Sequence, residues 1–447
     1  LGPATVLDGQ AEGNPRVAGR INAICVHDLG QRIYAASANG GVWYSKDGGD
    51  NWTSLGGLAT TNTVGINRPA QRNACGAIEV IFGTNEGDDT VFLGTGEVNS
   101  DPKGHVGDSE GGVGILVGDK PAKSAADDPW KPEAHNLVNN GIYRFARDPT
   151  LGSDTILVAT LTGLYQRPAA HAGEVNWDHP TGTPFATLEK ACTDILWTAA
   201  NGSAPARCWV WVQDGPDFGL WVRDNGAANF KKVTVDPGSG LAYVALRGSL
   251  AASNPPTQVW LLNDNGNVGT AGLFRVTNPA AGTDPVAHGV VGVPNVLRNQ
   301  GFYDIAIAVD PNNANRVVLG GCFMEDVQQD GKQVQYNAAI IVADVAPNPG
   351  NSNRLTYGHP NAYRLIGLGA HADVHALAFS NAGTSLWTGC DGGVFRSDRP
   401  DRPAGFYPRN NGLTISESNY IACHPMAEGH LISGLQDNGT VQRMSSG

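Results

Sequence analysis

The sequence predicts an all-β protein, and three observations support this fold class. No long stretch has apolar residues at the three-to-four-residue spacing of an amphipathic helix. Instead, short runs rich in Val, Ile, Ala, Tyr and Trp alternate with turns made of Gly, Asn, Asp and Pro. Gly accounts for 59 of the 447 residues, about 13%, against ~7% in an average protein. A Gly content this high indicates many tight turns between short strands.

A repeated unit predicts how these strands are arranged. Each copy has an apolar strand that ends at an Asp- or His-containing turn, a second strand, a Gly-rich step and a third strand. The clearest copies begin at Ile21, Asp304, Val374 and Tyr420, and weaker ones begin near Ala77, Ile142, Cys208 and Ala242. One copy cannot bury both of its faces, whereas radial stacking of copies gives a continuous core. We therefore predict a single β-propeller domain over residues 1–447, with seven or eight four-stranded blades.

The ends of the chain and two long segments complete this predicted organisation. The last copy offers only three strands before Gly447, so we expect the N-terminal strand around Ala4–Leu7 to supply the fourth and close the ring. Two segments, near 99–134 and 324–360, interrupt the repeat. We expect both to be long exposed loops, which often carry binding residues.

Composition limits the classes of partner. The chain has 30 Lys plus Arg and 42 Asp plus Glu, a formal charge of −12. An acidic surface repels phosphate groups, so nucleic acid is not an expected partner. No run approaches the ~18 apolar residues of a membrane-spanning helix, so no membrane span is expected.

The cysteines and the first residue bear on the cellular location. Seven cysteines in 447 residues are too sparse for a disulfide-built scaffold. Cys192 and Cys208 flank a turn between two apolar runs, and they are the pair that we expect to form a disulfide. The chain starts at Leu1 and is poor in Lys, which favours a processed protein that is secreted or held at the cell surface. It could equally be one part of a longer chain or of a larger exported assembly.

One segment carries a family resemblance. Ser45, Asp47, Gly49 and Trp52 stand at the four fixed positions of the pattern Ser-x-Asp-x-Gly-x-x-Trp. The chain therefore resembles the Asp-box (BNR) sialidase-like propellers, which include sortilin-type receptors and xyloglucanase-type glycoside hydrolases. In such a turn the Ser and Asp side chains accept backbone N–H bonds and Gly adopts a positive φ. The resemblance implies a structural turn on the outer rim of a blade.

Two departures separate the chain from the enzymes of this group. The sialidases have an Arg in an early Arg-Ile-Pro strand, whereas this chain has Arg20-Ile21-Asn22. The xyloglucanase-type enzymes resemble it around Ser37–Trp43, but Ala38 stands where their catalytic Asp would be. Neither chemistry therefore carries over residue by residue.

Aligning the repeats brings polar residues to one face of the predicted disc. If the first strand of each unit is innermost, the start of strand one and the end of strand two share a face. Glu97, Asp391 and Asp437 follow second strands, and Arg20, Tyr303, Asp373 and Glu417 precede first strands. His371, Asp373 and His375 alternate along one segment, so a flat strand would point all three the same way. The sequence thus predicts an acidic mouth at one end of the central channel.

Three interpretations of this mouth remain open. Asp373 with His375 could hold Ca²⁺ or another divalent metal, although no cofactor is certain. A pair of carboxylates ~5–10 Å apart could hydrolyse glycosides, and the candidate catalytic residues are Asp373, Asp437 and Glu97. The third interpretation is a hydrated polar channel without a ligand.

The leading functional hypothesis is an extracellular recognition module that binds a glycan or a protein partner at this mouth. The candidate binding residues are Asp391, His371, His375, Tyr303, Glu417 and Arg20. The alternative is a glycoside hydrolase or lyase that uses a carboxylate pair there, and a further alternative is a structural part of an exported assembly. The sequence leaves open whether the protein is an enzyme.

Overall fold

The structure is a computed structural model that describes most of the chain. The described residues are 5–27, 29–55, 73–85, 87–98, 111–123, 130–150, 152–169, 175–266, 272–327, 334–348, 351–356, 363–380, 382–400, 405–426 and 429–443. These residues form mainly antiparallel sheets and one short 3-10 turn at Pro237–Ser239, which confirms the all-β prediction. None of them forms a helix long and apolar enough to cross a membrane.

The first four sheets follow one another along the chain, and in each the neighbouring strands are consecutive in sequence. Sheet 1 comprises β1 (Ile21–Val26), β2 (Ile33–Ser37), β3 (Val42–Ser45) and β4 (Thr53–Ser54). Sheet 2 comprises β5 (Cys75–Ile81), β6 (Thr90–Thr95), β7 (Val113–Asp119) and β8 (Trp130–Val138). Sheet 3 comprises β9 (Ile142–Arg147), β10 (Ile156–Thr160) and β11 (Gly163–Gln166). Sheet 4 comprises β12 (Cys192–Thr198), β13 (Arg207–Val212), β14 (Gly219–Asp224) and β15 (Lys231–Lys232).

Sheet 5 departs from the four-stranded pattern because three short strands extend its outer edge. Its four main strands are β17 (Gly248–Ala252), β18 (Gln258–Asn263), β19 (Gly272–Thr277) and β20 (Val286–Val291). The added strands are β16 (Thr234–Val235), β24 (Ala346–Asn348) and β25 (Asn351–Thr356). Of these, β16 and β25 run parallel to β20, whereas the other described pairings in the molecule's sheets are antiparallel.

The remaining sheets are antiparallel, and their strands are consecutive except in sheet 6, where β24 and β25 of sheet 5 come before the fourth strand. Sheet 6 comprises β21 (Ala306–Val309), β22 (Arg316–Val327), β23 (Val334–Asp344) and β26 (Tyr363–Leu365). Sheet 7 comprises β27 (Val374–Phe379), β28 (Leu386–Cys390), β29 (Gly393–Ser397) and β30 (Tyr407–Pro408). Sheet 8 comprises β31 (Ser418–Cys423), β32 (Leu431–Leu435) and β33 (Thr440–Arg443).

The core lies between neighbouring sheets. Each first strand contacts the first strand of the next sheet, in the order β1, β5, β9, β12, β17, β21 and β27, and β27 contacts β1. An apolar cluster fills each of these junctions. At the junction of sheets 7 and 1, for example, Trp387 and Val394 pack with Ile21 and Ile33, all fully buried. This packing explains why the strands are rich in Val, Ile and Trp, which cover both faces of an inner strand.

Sheet 8 differs from the other seven in its exposure. All six residues of β31 are exposed, including Tyr420 at 82% and Ile421 at 66%. At the other end of the chain, Val6 forms its β-bridge with Val17. The described residues therefore do not confirm closure of a ring by the N-terminal strand.

Two expectations about the chain differ from the structure. The predicted Cys192–Cys208 disulfide is wrong, because both thiols are free. In the β12–β13 hairpin Cys192 lies opposite Val212 and Cys208 lies opposite Trp197, at the other end. Of the two predicted loop segments, residues 99–110, 124–129, 328–333, 349–350 and 357–360 lie outside the described residues. The described parts are largely β-strands, namely β7 and β8 in the first and β22 to β25 in the second.

The Ser45–Trp52 turn connects the outer strands β3 and β4. Gly49 N and Asn51 N donate to Ser45 Oγ and Asp47 Oδ1, each over 2.9 Å, and Gly49 has a φ of 81°. Trp52 Nε1 donates to the Arg409 carbonyl over 2.6 Å, so the turn also fastens sheet 1 to sheet 7. The geometry is that of a structural turn, as the pattern of residues implies.

Candidate functional site

Polar side chains from sheets 1, 2, 6 and 7 meet at one end of the first strands. Arg20, Tyr303 and Asp373 directly precede or lie close before β1, β21 and β27. Glu97 and Asp391 follow the second strands β6 and β28. Because first and second strands are antiparallel, these positions fall on one face, as the alignment of the repeats predicts.

Arg20 is the centre of the cluster. Its Nη2 lies 2.6 Å from Glu97 Oε1 and 3.7 Å from Glu417 Oε2. Its Nη1 donates to the Tyr303 hydroxyl over 2.6 Å. One guanidinium thus connects sheets 1, 2 and 6 with the segment before sheet 8, and it holds two carboxylates in fixed positions.

Asp391 is the buried acceptor of the network. Tyr303 donates its hydroxyl to Oδ2 over 2.6 Å, and His375 Nε2 donates to Oδ1 over 2.7 Å. Burial by itself would raise the pKa of Asp391. The hydrogen bond and charge of His375, together with the charge of Arg20, outweigh burial and lower this pKa to about 2. Asp391 is therefore an ionised carboxylate, and each of its oxygens accepts a hydrogen bond.

The backbone between the two histidines departs from the flat strand on which the alternation rule depends. Asp373 has a φ of 62°, in the left-handed region, and a register shift lies between Val374 and Ala376. A flat strand is therefore absent at this position, and the alternation rule does not apply. His371 Nε2 approaches the Asp437 carbonyl at 3.2 Å, whereas His375 is bound to Asp391. His375 is thus hydrogen bonded to Asp391 while its charge also acts on Asp373, and a metal held by Asp373 and His375 stays a prediction.

The pKa values of Asp373 and Asp437 are raised, whereas the pKa of Asp391 is lowered. Burial, followed by the negative charge of Asp391, raises the pKa of Asp373. Asp437 is exposed at the surface, yet partial desolvation of its carboxyl and the charge of Asp391 raise its pKa as well. Asp437 also has a positive φ, 53°, and its carboxylate accepts a hydrogen bond from Gln436. The mouth therefore combines one firmly ionised carboxylate with two that hold their protons more tightly.

Sequence reasoning missed three residues near this cluster. Asp304 and Cys322 lie behind Asp373, and the ligand atoms of these three side chains are all within 4.8 Å of one another. Glu79 lies deeper in the channel, where burial raises its pKa to about 7 against the opposing charges of Arg147 and Arg144. Asp304 begins a clear copy of the repeat and Glu79 interrupts an apolar strand, so both could have been found as charges inside inner strands.

Two cavities adjoin the network. A cavity of about 210 Å³ runs between the first strands of sheets 1 to 7, and Glu79, Arg144 and His375 are among the residues that line it. A cleft of about 200 Å³ opens beside Arg20 and is bounded by Ser37, Asn39, Ser416 and Glu417. The cleft lies next to the exposed end of the network, so a ligand in it would meet Arg20 and Glu417 directly.

Comparison with solved structures identifies the fold. The GH74 enzyme from Niastella koreensis has a TM-score of 0.63 and 14% identity, over 99% of this chain and 60% of that one. The GH74 xyloglucanase from Xanthomonas campestris has a TM-score of 0.60 and 15% identity, over 98% and 60%. The extracellular domain of BT4673 from B. thetaiotaomicron has a TM-score of 0.50 and 14% identity, over 99% and 48%.

These similarities show that the fold is a β-propeller. The chain spans about 60% of the length of the two GH74 structures. No family model matches the sequence, and no curated protein matches it.

Proposed function

We propose that the protein is an extracellular recognition module that binds a neutral glycan at the mouth around Arg20. The observation that carries this proposal is the network of Arg20, Tyr303 and Asp391, which holds its polar groups in place before any ligand arrives. Preorganised groups lose little conformational entropy on binding. Carboxylates and amides that are fixed in this way suit the many hydroxyl groups of a sugar.

The charge of the mouth favours a neutral ligand over an acidic one. Five carboxyl groups interact with Arg20 or with one another, namely Glu97, Asp373, Asp391, Glu417 and Asp437. Arg20 supplies one positive charge, and Glu97 lies against it at 2.6 Å. An acidic sugar would meet like charges in a partly desolvated site, which costs free energy.

The similar structures support a glycan as the ligand and a secreted or cell-surface location. Two of the similar structures are GH74 enzymes, one of them a xyloglucanase, and a third is an extracellular domain. A glycan ligand and a secreted or cell-surface location are in keeping with these neighbours. A protein partner is the competing ligand class.

A glycan array with neutral and acidic members tests the proposal. We expect binding to neutral glycans, and we expect Asp437→Asn and Glu417→Gln each to weaken it about tenfold or more, since charged hydrogen bonds contribute ~1.5–3 kcal/mol. Asp284→Asn is the matched control, because Asp284 forms an exposed ion pair with Lys231 on the outer edge of the molecule. No binding to any glycan, or equal binding by all variants, would contradict the proposal and favour a protein partner or a structural role.

The second candidate is a glycoside hydrolase or lyase at the same mouth. It is favoured by the contrast between the ionised Asp391 and the raised pKa values of Asp373 and Asp437. A proton donor needs a raised pKa, and its partner needs to stay ionised. The glycans that bind should be assayed for the release of reducing ends. Release that Asp373→Asn or Asp437→Asn abolishes would establish an enzyme, whereas binding without release would leave a recognition module.

We also infer that the propeller ring contains seven blades, with sheet 8 outside it. The contact of β27 with β1 and the apolar cluster between sheets 7 and 1 support this count. The exposure of all six residues of β31 supports the placement of sheet 8 outside the ring. Glu417 precedes β31 and Asp437 follows β32, so both would then reach the mouth from beside the ring.

A further inference from the structure

Asp304, Cys322 and Asp373 form a compact group behind the mouth. Their ligand atoms all lie within 4.8 Å of one another. Asp304 lies just before β21, and Asp373 lies just before β27. Cys322 lies in the irregular part of β22, where the register shifts between Gly320 and Phe323. The bulge in β22 and the segments just before β21 and β27 therefore bring one thiol and two carboxyls together from sheets 6 and 7.

Asp304 has an unusual environment for a carboxylate. It is 0% exposed, and among the described residues neither of its oxygens accepts a hydrogen bond from a protein donor. The carboxyl of Asp373 and the thiol of Cys322 are among the polar groups that it faces. Two carboxylates cannot hydrogen bond to each other unless one of them carries a proton. A buried carboxylate without a donor costs several kcal/mol, so a proton or a cation must compensate its charge.

The charge of Arg247 acts on Asp304, but no described neighbour donates a hydrogen bond to the Asp304 oxygens. Cys322 Sγ donates to Gln300 Oε1 over 3.0 Å. Arg247 Nη1 donates to the carbonyls of Phe302 and Tyr303, each over 3.0 Å. Asp373 keeps one oxygen, Oδ1, that is buried and has no hydrogen-bond partner. Two carboxyls thus direct unsatisfied oxygens into the same small space beside a thiol.

We propose that Asp304, Cys322 and Asp373 bind a zinc ion. Zn²⁺ accepts thiolate and carboxylate ligands at ~2.0–2.3 Å, whereas Ca²⁺ and Mg²⁺ take oxygen ligands and would not use the cysteine. Three protein ligands leave the fourth tetrahedral position for water or for another group. The ion would link the segment before β21 in sheet 6 to the segment before β27 in sheet 7. It would also hold Asp373 in place at the back of the mouth. It uses Asp373, as the sequence predicts for a metal, but with different partners.

Metal analysis of the tag-free full chain tests this site. The protein is stripped with a chelator, incubated with Zn²⁺, dialysed against metal-free buffer and measured by inductively coupled plasma mass spectrometry. We expect about one zinc per chain, and a melting temperature that rises when Zn²⁺ is added. Reconstitution with Co²⁺ instead should give a thiolate-to-cobalt charge-transfer band in the near ultraviolet.

Two variants and one control separate this site from nonspecific binding. Cys322→Ser and Asp304→Asn should each lower zinc retention at least tenfold, and Cys322→Ser should remove the charge-transfer band. Cys208→Ser is the matched control, because Cys208 is a buried free thiol in sheet 4, and it should retain zinc like the parent protein.

Zinc retention tests the site only in variants that remain folded. Asp304→Asn removes a buried charge with little change in shape, so its metal-free melting temperature should equal or exceed that of the parent protein. Loss of zinc in such a variant cannot be attributed to unfolding. Less than one tenth of a zinc per chain in the parent protein, or equal retention by Cys322→Ser, would overturn the proposal and leave Asp304 as a protonated acid beside Asp373. Zinc content is independent of glycan binding, so the two proposals can fail separately.

Discussion

His375 Nε2 donates to Asp391 Oδ1 over 2.7 Å, and both side chains are almost fully buried, at 3% and 2% exposed. The bond joins the first and second strands of sheet 7 at the face where the mouth lies. It also leaves the second oxygen of Asp391 for the Tyr303 hydroxyl, at 2.6 Å. The pair therefore holds in place a carboxylate that connects sheet 7 to sheet 6 and, through Tyr303, to Arg20.

Removal of the Asp391 carboxylate should destabilise the fold. Asp391→Ala leaves His375 and Tyr303 buried without their acceptor, and breaking a buried pair in this way typically costs ~3–5 kcal/mol. Denaturant unfolding measures the change. The control is Asp398→Ala in the same sheet, which removes an ion pair with Arg396 whose Asp side chain is 50% exposed, and should cost below ~1 kcal/mol. Equal losses in the two variants would show that the buried network contributes nothing specific.

Glu79 should make stability depend on pH. Burial raises its pKa from 4.5 to about 7, so the folded state holds the proton more tightly than the unfolded state. Stability is then lost as the pH rises from about 4.5 to about 7, and the loss is complete above that range. Glu79→Gln should match the parent protein near pH 4.5 and exceed it at pH 8 by on the order of 3 kcal/mol.

Denaturant unfolding over this pH range measures the effect of Glu79→Gln. The control is Glu189→Gln, because Glu189 is exposed and its replacement should leave the pH profile unchanged. A Glu79→Gln profile parallel to that of the parent protein would show that this carboxyl is not desolvated in the channel.

The Ser45–Trp52 turn should affect stability and not ligand binding. Asp47→Ala removes the acceptor of the Asn51 N–H and of the Ser45 hydroxyl, both at 2.9 Å, and should cost about 1 kcal/mol. Thermal unfolding and glycan binding are measured on the same sample. Because the turn joins outer strands, the affinity of the folded protein should be unchanged. A loss of glycan binding without a loss of stability would indicate that the glycan binds at the outer rim of the blade, beside this turn.

Deletion of residues 418–447 tests the seven-blade ring. The seven apolar clusters between sheets would remain almost intact, since Leu435 is the buried apolar residue that sheet 8 contributes. We expect a folded protein that melts cooperatively only a few degrees lower. The variant should bind glycan more weakly, because Asp437 is lost with sheet 8. A chain that no longer melts cooperatively would show that sheet 8 is part of the ring.

The strands and their faces could be predicted because they depend on local pattern. Short apolar runs between Gly-rich turns predicted an all-β chain, and antiparallel pairing then predicted that strand starts and strand ends share a face. The meeting of Arg20 with Tyr303, and of Tyr303 with Asp391, follows that geometry. Strand alternation does not apply where the backbone is irregular. Asp373 has a positive φ and a register shift follows it, so the strand period does not determine the side-chain directions there.

The sequence by itself determined the fold class, the repeated unit and the set of strand ends that carry charge, since strand period and turn chemistry act over a few residues. The tertiary structure decided which of those charges are paired and which buried groups lie behind them. Cys322 reaches Asp304 and Asp373 because of a bulge in β22, and the exposure of β31 appears only once the other sheets are packed. Such relationships depend on contacts between residues far apart in the chain, and these contacts cannot be predicted from periodicity along the sequence.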